Sequence, residues 1–283
     1  LFKVGGMHQD FMKAIQIPRI MGIINLTEDS FSDGGYYLSE RSALAHAEKL
    51  IQEGAEILDL GAESTRPGSK SIPAHVEWQR IEPVLKALKE LHPEVLISID
   101  TQKAKVAELS IACGANIIND ISAMRFDPDM PSVLKNAPDV KVIIMHMQGN
   151  PETMQLAPQY SDVVLEVKEF LKERIEYATK HGIFQDRIII DPGIGFGKKL
   201  EHNLLLIKHM EEFSGLGCQV LLGTSRKRFI DQIYSSDVHH RLGGSLATTM
   251  LACLSGVNII RVHDVQEHAQ FLETLYRIRI EGD

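Results

Sequence analysis

The sequence predicts a single-domain α/β protein, a (β/α)8 TIM barrel, on three observations: a length of 283 residues, a steady alternation of short apolar runs with amphipathic stretches, and a polar residue at the end of nearly every run. A barrel of this kind takes roughly 250 residues, so one barrel uses up the chain. From about Arg19 onward the alternation hardly varies, which is the pattern of a parallel sheet whose strands are joined by helices. A doubly wound open sheet would alternate in the same way. The number of strands and their polar endings decide for the closed ring.

Taken in order, strands are expected at 20–24, 57–60, 95–99, 116–118, 142–145, 188–190, 220–222 and 258–262. They are short and almost wholly apolar, as strands covered on both faces are. Gly54, Gly114, Gly182 and Gly256 each stand between a helical pattern and the next strand, where a left-handed glycine closes a helix. The stretch 162–181 sets Val163, Val164, Val167, Phe170, Leu171, Ile175 and Ala178 against charged positions, the apolar face of an outer helix. Residues 1–18 read as an N-terminal extension and 19–283 as the barrel domain. No linker, low-complexity segment or coiled coil interrupts it.

Composition narrows the chemistry. With 30 Lys and Arg against 38 Asp and Glu the net charge is −8, which argues against a surface that tracks nucleic-acid phosphates and for small-molecule chemistry. Cys113, Cys218 and Cys253 are odd in number and far apart, which fits a reduced cytoplasmic compartment and buried filler better than disulfides or a nucleophile. No apolar run approaches the roughly 20 residues a bilayer needs, and Leu1 to Met12 lack the apolar core of a signal peptide, so a soluble protein is expected.

The polar endings are Asn25, Glu63, Asp100, Asn119, His146, Asp191, Ser225 and the pair Arg261 and His263. In a barrel these ends share one face, where such groups converge on a ligand. Unpaired and buried they would cost about 1–3 kcal/mol each. Asp100 and Asp191, helped by Asn119, suit the N–H edge of a flat heterocycle, since a carboxylate accepts two parallel hydrogen bonds. Asn25, Thr65, Arg66, Arg261 and His263 suit a polyanion, and strand alternation puts Arg261 and His263 on one face. Taken singly, Asp100 or Asp191 could merely cap the following helix. His146 reads as structural, and His239 and His240 as part of a solvated loop. The run from Asp191 to Lys198 lacks the Walker ending, so its glycines are expected to let backbone approach a ligand beside Asp191, with Phe196 offering an aromatic ring.

These segments resemble a known family in order and spacing: Asn25-Leu-Thr-Glu-Asp-Ser-Phe-Ser-Asp-Gly-Gly35, Glu63-Ser-Thr-Arg-Pro-Gly68, Ile99-Asp-Thr101, Ile118-Asn-Asp-Ile121, Met145-His-Met-Gln-Gly-Asn-Pro151, Asp191-Pro-Gly-Ile-Gly-Phe-Gly-Lys198, Ser225-Arg-Lys227 and Arg261-Val-His-Asp264. The resemblance is to the dihydropteroate synthases of folate biosynthesis, pterin-binding transferases. It implies that Asp100, Asn119, Asp191 and Lys227 hold the pterin and that Asn25, Thr65, Arg66, Arg261 and His263 hold the diphosphate, with Asn25 facing a Mg²⁺ cofactor. It places Phe31, Asp33, Thr65, Pro67, Ser69, Phe196 and Lys227 around para-aminobenzoate, and it gives catalytic parts to Asp33, Arg66, Lys227, Arg261 and His263. It further implies small-molecule partners only, namely dihydropterin diphosphate and para-aminobenzoate, with sulfonamides as competitive inhibitors. A homodimer through 244–254 and 265–277 is also implied. Glu28 stands where the family usually has Pro, and Arg228 where it often has Ser; Arg228 could receive the para-aminobenzoate carboxylate or point to solvent. A pterin-dependent methyltransferase domain and a non-catalytic pterin-binding homologue are the alternatives.

Overall fold

A computed structural model of the chain describes residues 15–26, 36–64, 69 and 71–281. The ring is closed: β1 (Arg19–Asn25), β2 (Ile57–Gly61), β3 (Leu96–Asp100), β4 (Ile117–Asp120), β5 (Lys141–Met145), β6 (Ile188–Asp191), β7 (Gln219–Leu222) and β8 (Ile259–Val262) pair in sequence order, and β8 pairs back onto β1. Every pairing is parallel. The helices α1 (Tyr36–Gln52), α2 (Ala74–Leu91), α3 (Ala104–Ala112), α4 (Met130–Lys135) and α5 (Val163–Lys180) follow β1 to β5 in turn. After β6 come α6 (Leu200–Lys208) and α7 (Glu211–Ser214), after β7 come α8 (Arg228–Ile233) and α9 (Leu242–Leu254), and α10 (Val265–Ile280) closes the chain.

Each expected strand is present, with its ends displaced by at most two residues. The displacements have causes. Asn116 and Asn258 stand just before β4 and β8 because their side chains take up the ladder there, Asn116 Oδ1 accepting from Ile97 N at 2.9 Å and Asn258 Oδ1 from Val220 N at 2.7 Å. The strands β3 and β6 run one residue longer than their apolar stretches and so carry Asp100 and Asp191 within the ladder itself. The helix expected at 162–181 is α5, opened by Asp162, whose carboxylate accepts from the backbone N–H of Val164 and Leu165. The four glycines expected to close helices all take positive φ, from 72° to 107°.

Two cores result. One lies between strands and helices. The other fills the barrel as a plug of Met21, Ile57, Ile117, Ile143, Ile189, Leu221 and Ile259, none more than 3% exposed. Side chains alternate along a strand, so the next inward residues after Ile57, Ile117 and Ile259 are Asp59, Asn119 and Arg261. Apolar floor thus gives way to polar mouth within one pleat. Of the N-terminal extension, Ile15 is buried and Gln16 N donates to Cys253 O at 2.8 Å, which docks residues 15–18 on the end of α9. Among the described residues no helix is long and apolar enough to cross a membrane.

Candidate active site

Above the plug, one hydrogen-bonded network joins four strands. Asp59, fully buried on β2, accepts from Ser98 Oγ at 2.6 Å, from Asn119 Nδ2 at 3.2 Å and from Arg261 Nε at 2.7 Å. Arg261 Nη2 reaches Asp100 Oδ2 at 3.4 Å. Burial first, and the Asp59 carboxylate second, raise Asp100 to about 8 against the pull of Arg261. Sequence reasoning missed Asp59 because it looked to the ends of strands. The signal was there: Asp59 is the lone charged residue in an otherwise apolar strand.

The opposite side of the mouth is built by β6 and β7. Asp191 is buried, and its Oδ1 accepts from Gly193 N at 2.7 Å; burial raises its pKa, opposed by Lys227, by that N–H, and by Lys198 and Arg261. Lys227, at the N-terminus of α8, donates to the Ile194 carbonyl and lies 4.7 Å from the centre of the Phe196 ring. Burial lowers its pKa to about 8 against the nearby Asp191. Beside this ring Ile121, Met145, Met147 and Met154 form a small apolar bed. Arg261, expected to read a polyanion, acts electrostatically on Asp100, Asp191 and Lys227, so it shares one mouth with these three. Neither aspartate merely caps a helix, since the following helices α3 and α6 have Lys103 and Lys199 at their N-caps.

His263 completes the rim. Its backbone N–H donates to Ser225 Oγ at 3.1 Å, and the same hydroxyl lies 3.1 Å from Nδ1, so it can donate there and leave the ring proton on Nε2. Burial, and then Arg261, lower this histidine to about 4, which makes it a neutral N–H donor. Asn25 and His263 line one polar cleft beside α1. Ser69 Oγ donates to the Ser64 carbonyl at 2.5 Å. Phe31, Asp33, Thr65, Arg66 and Pro67 lie outside the described residues, as does Glu28. Arg228 is exposed at the start of α8.

Two expectations need correction. Glu63 does not wait for a ligand: its carboxylate accepts from Lys103, Ser71 Oγ, Ile72 N and Gln102. Nor is the glycine-rich run spread open beside Asp191. Its Gly193 is pressed against the His146 carbonyl, and Lys198 is buried within the run, its Nζ 2.9 Å from His146 Nδ1, 2.8 Å from Gly193 O and 2.9 Å from Phe196 O. His146 is therefore structural, as expected. Burial and Lys198 lower it to about 2. His239 and His240 lie in an exposed turn, with Asp237 accepting from both.

The sequence profile of the pterin binding enzyme family matches residues 21–263. The dihydropteroate synthase of Escherichia coli strain K12 is 43% identical over 260 residues, which cover 91% of this chain and 90% of that protein. The chain belongs to the dihydropteroate synthase family. Among solved structures, a Xanthomonas albilineans dihydropteroate synthase with 4-aminobenzoic acid superposes with a TM-score of 0.86 at 40% identity, covering 93% of each chain. A Yersinia pestis dihydropteroate synthase with a sulfonamide drug complex gives 0.84 at 38% identity, covering 93% of this chain and 94% of that one. Likeness at this level across nine-tenths of each chain favours the synthase over the methyltransferase domain and the non-catalytic homologue. The dihydropteroate synthase fold is thus present as an enzyme fold, a transferase, with the expected barrel residues at one mouth.

Proposed function

We propose that this mouth condenses (7,8-dihydropterin-6-yl)methyl diphosphate with para-aminobenzoate to give 7,8-dihydropteroate and diphosphate. The observation that carries the reading is Arg261, which pairs with Asp59 and Asp100 and acts electrostatically on His263, the residue that lines a polar cleft with Asn25, so that an acidic edge lies next to a donor edge. Asp100, Asn119 and Asp191 take the pterin's N–H edge, and Lys227 donates to its acceptor side. Ile121 and Met145 offer the ring an apolar surface.

The C–O bond at the exocyclic methylene breaks first, and its electron pair leaves with the diphosphate. The pterin cation is then attacked by the aromatic amine, which afterwards sheds a proton. Catalysis here means stabilising charge on the departing group, the work of Arg261, of His263 Nε2–H and of Asn25, joined by Thr65, Arg66 and Asp33 from the two loops. Asp100 and Asp191 face the positive charge that develops on the ring. Phe196, Lys227 and Ser69, with Phe31 and Pro67, receive para-aminobenzoate, and sulfonamides compete there.

Mg²⁺ fits this donor set only in the company of substrate. Among the described residues no three His, Cys, Asp or Glu form a metal site, and the Asn25 amide oxygen is the kind of single hard ligand that Mg²⁺ combines with phosphate oxygens and water. Once bound it would neutralise charge on the diphosphate. A homodimer is proposed through α9, whose outer face carries Gly243, Ala247 and Leu251 exposed. The three cysteines are free thiols, in keeping with a cytoplasmic setting.

The test is release of diphosphate from the pterin diphosphate with Mg²⁺. Turnover that requires para-aminobenzoate and is competed by a sulfonamide is expected; release indifferent to para-aminobenzoate would refute the reading. A pH dependence follows as well. The pterin needs Asp100 ionised and Lys227 protonated, and both titrate at about 8. Pterin affinity therefore rises with pH as Asp100 loses its proton and falls once Lys227 loses its own, a bell with its top near pH 8. Calorimetric titration across this range checks it, and an affinity that falls steadily from acid to base would contradict the assignment of Asp100.

A further inference from the structure

We infer that Lys103 is a positioning residue, which through Glu63 fixes the stem of the segment leaving β2 at the rim that receives the arylamine. The Lys103 ammonium lies 2.6 Å from Glu63 Oε2 and 2.5 Å from Glu77 Oε2, and the three side chains are 9%, 11% and 0% exposed. Glu63 belongs to the outgoing limb of the stem, yet it accepts from the returning limb, from Ser71 Oγ at 2.9 Å and Ile72 N at 2.7 Å. Ser69 Oγ crosses the same stem to the Ser64 carbonyl. Gln102, next to Lys103, adds a fourth donor at 3.3 Å. One carboxylate thus ties both limbs to the turn that also carries Asp100, and the ammonium ties that carboxylate to α2.

Stability does not account for this arrangement. Two carboxylates share one buried cation, and an apolar pair of similar size would commonly be as stable or more so. Burial raises the pKa of Glu77 in spite of Lys103, a sign of how unfavourable its position is for charge. What the triad does supply is a defined place for the stem. Ser64, Ser69, Ser71 and Gln102 then form part of the wall of a 350 Å³ cavity that Met147 and Asn150 also line. The inference rests on the reading above, in which Thr65, Pro67 and Ser69 meet para-aminobenzoate.

The test is the double variant Glu77→Leu with Lys103→Met, which removes the ammonium together with the fully buried carboxylate and leaves Glu63, the more exposed of the two, with its neutral donors Ser71, Ile72 and Gln102. The fold should be retained with a modest fall in thermal stability, amide exchange at Ile72 should quicken, and KM for para-aminobenzoate should rise about tenfold, the loss of roughly one charge-assisted hydrogen bond, while the Kd for the pterin diphosphate stays within about twofold. Lys103→Arg, which keeps the cation, should stay near the wild type. If the double variant does not fold, Glu63→Gln is read in the same two ways. Unchanged exchange at Ile72 overturns the staple. Quickened exchange with unchanged KM overturns its link to the arylamine. A wild-type protein that makes no dihydropteroate would instead remove the function on which the inference rests, and the arylamine role of Lys103 with it.

Discussion

Arg261→Ala is expected to lose both stability and ligand binding. The guanidinium is the partner of two carboxylates, at 2.7 Å from Asp59 and 3.4 Å from Asp100, and Asp59 is fully buried. Removing one member of a buried pair leaves the others uncompensated, at a cost of about 3–5 kcal/mol. An arginine that held only the diphosphate, as the resemblance implies for Arg261, would leave the binding of a pterin lacking it unchanged. The geometry changes that expectation. Without Arg261 the pKa of Asp100 climbs further, so a larger share of it is protonated when the pterin's N–H edge arrives. Affinity should fall for both ligands, by roughly tenfold or more for the bare pterin and further for the diphosphate, as loss of a hydrogen bond to a charged group at about 1.5–3 kcal/mol implies. Urea denaturation and titration calorimetry on the two ligands measure this. A variant as stable as the wild type with an unaltered bare-pterin affinity would show that the Asp59–Arg261–Asp100 chain carries no energy.

Gly193→Ala should be the most destabilising single-methyl change at the mouth. A Cβ there would sit 1.9 Å from the His146 carbonyl oxygen and 3.0 Å from its carbon, and φ is +70°. Left-handed backbone costs a residue with a Cβ about 1–2 kcal/mol, and overpacking adds roughly 1–3 kcal/mol. The obstacle is main chain, and the run cannot swing aside because Lys198 Nζ holds Gly193 O at 2.8 Å and Asp191 holds Gly193 N at 2.7 Å. Any relaxation therefore moves Asp191 or Phe196, so pterin binding should suffer along with stability. Gly215→Ala is the control, at the end of α7 with φ −69° and only the Glu212 carbonyl oxygen, at 3.5 Å, near an added Cβ, where alanine should be close to neutral. Equal melting temperatures for the two variants would mean that the contact with His146 is not tight in solution.

How much of this could be read in advance depended on where each residue sits. Asp100, Asp191 and Arg261 were legible because polarity at the end of an apolar strand is a local signal, and the shared face of Arg261 and His263 follows from alternation alone. Asp59 was visible as a lone charge between Leu58 and Leu60, but its purpose was not, because only closure of the ring reveals that its inward side meets Arg261, 202 residues away in sequence. Glu63 was misread for the opposite reason. It has a strand-end position, but Lys103 at the start of α3 and Ser71 and Ile72 ahead of α2 claim it first. The glycine-rich run was recognised as a place of close approach; that the approaching group is the protein's own main chain after β5 required the register of β5 against β6.

The apolar plug of Met21, Ile57 and their fellows has a consequence for traffic. With the base stoppered, a ligand resting over the plug beside Asp59 would arrive and depart through the mouth, and a second molecule held at the rim by Phe196 and Lys227 would stand in its path. On the proposed placement, loading is last in, first out: the heterocycle must enter before the amine, and an inhibitor that imitates the amine shuts the heterocycle inside.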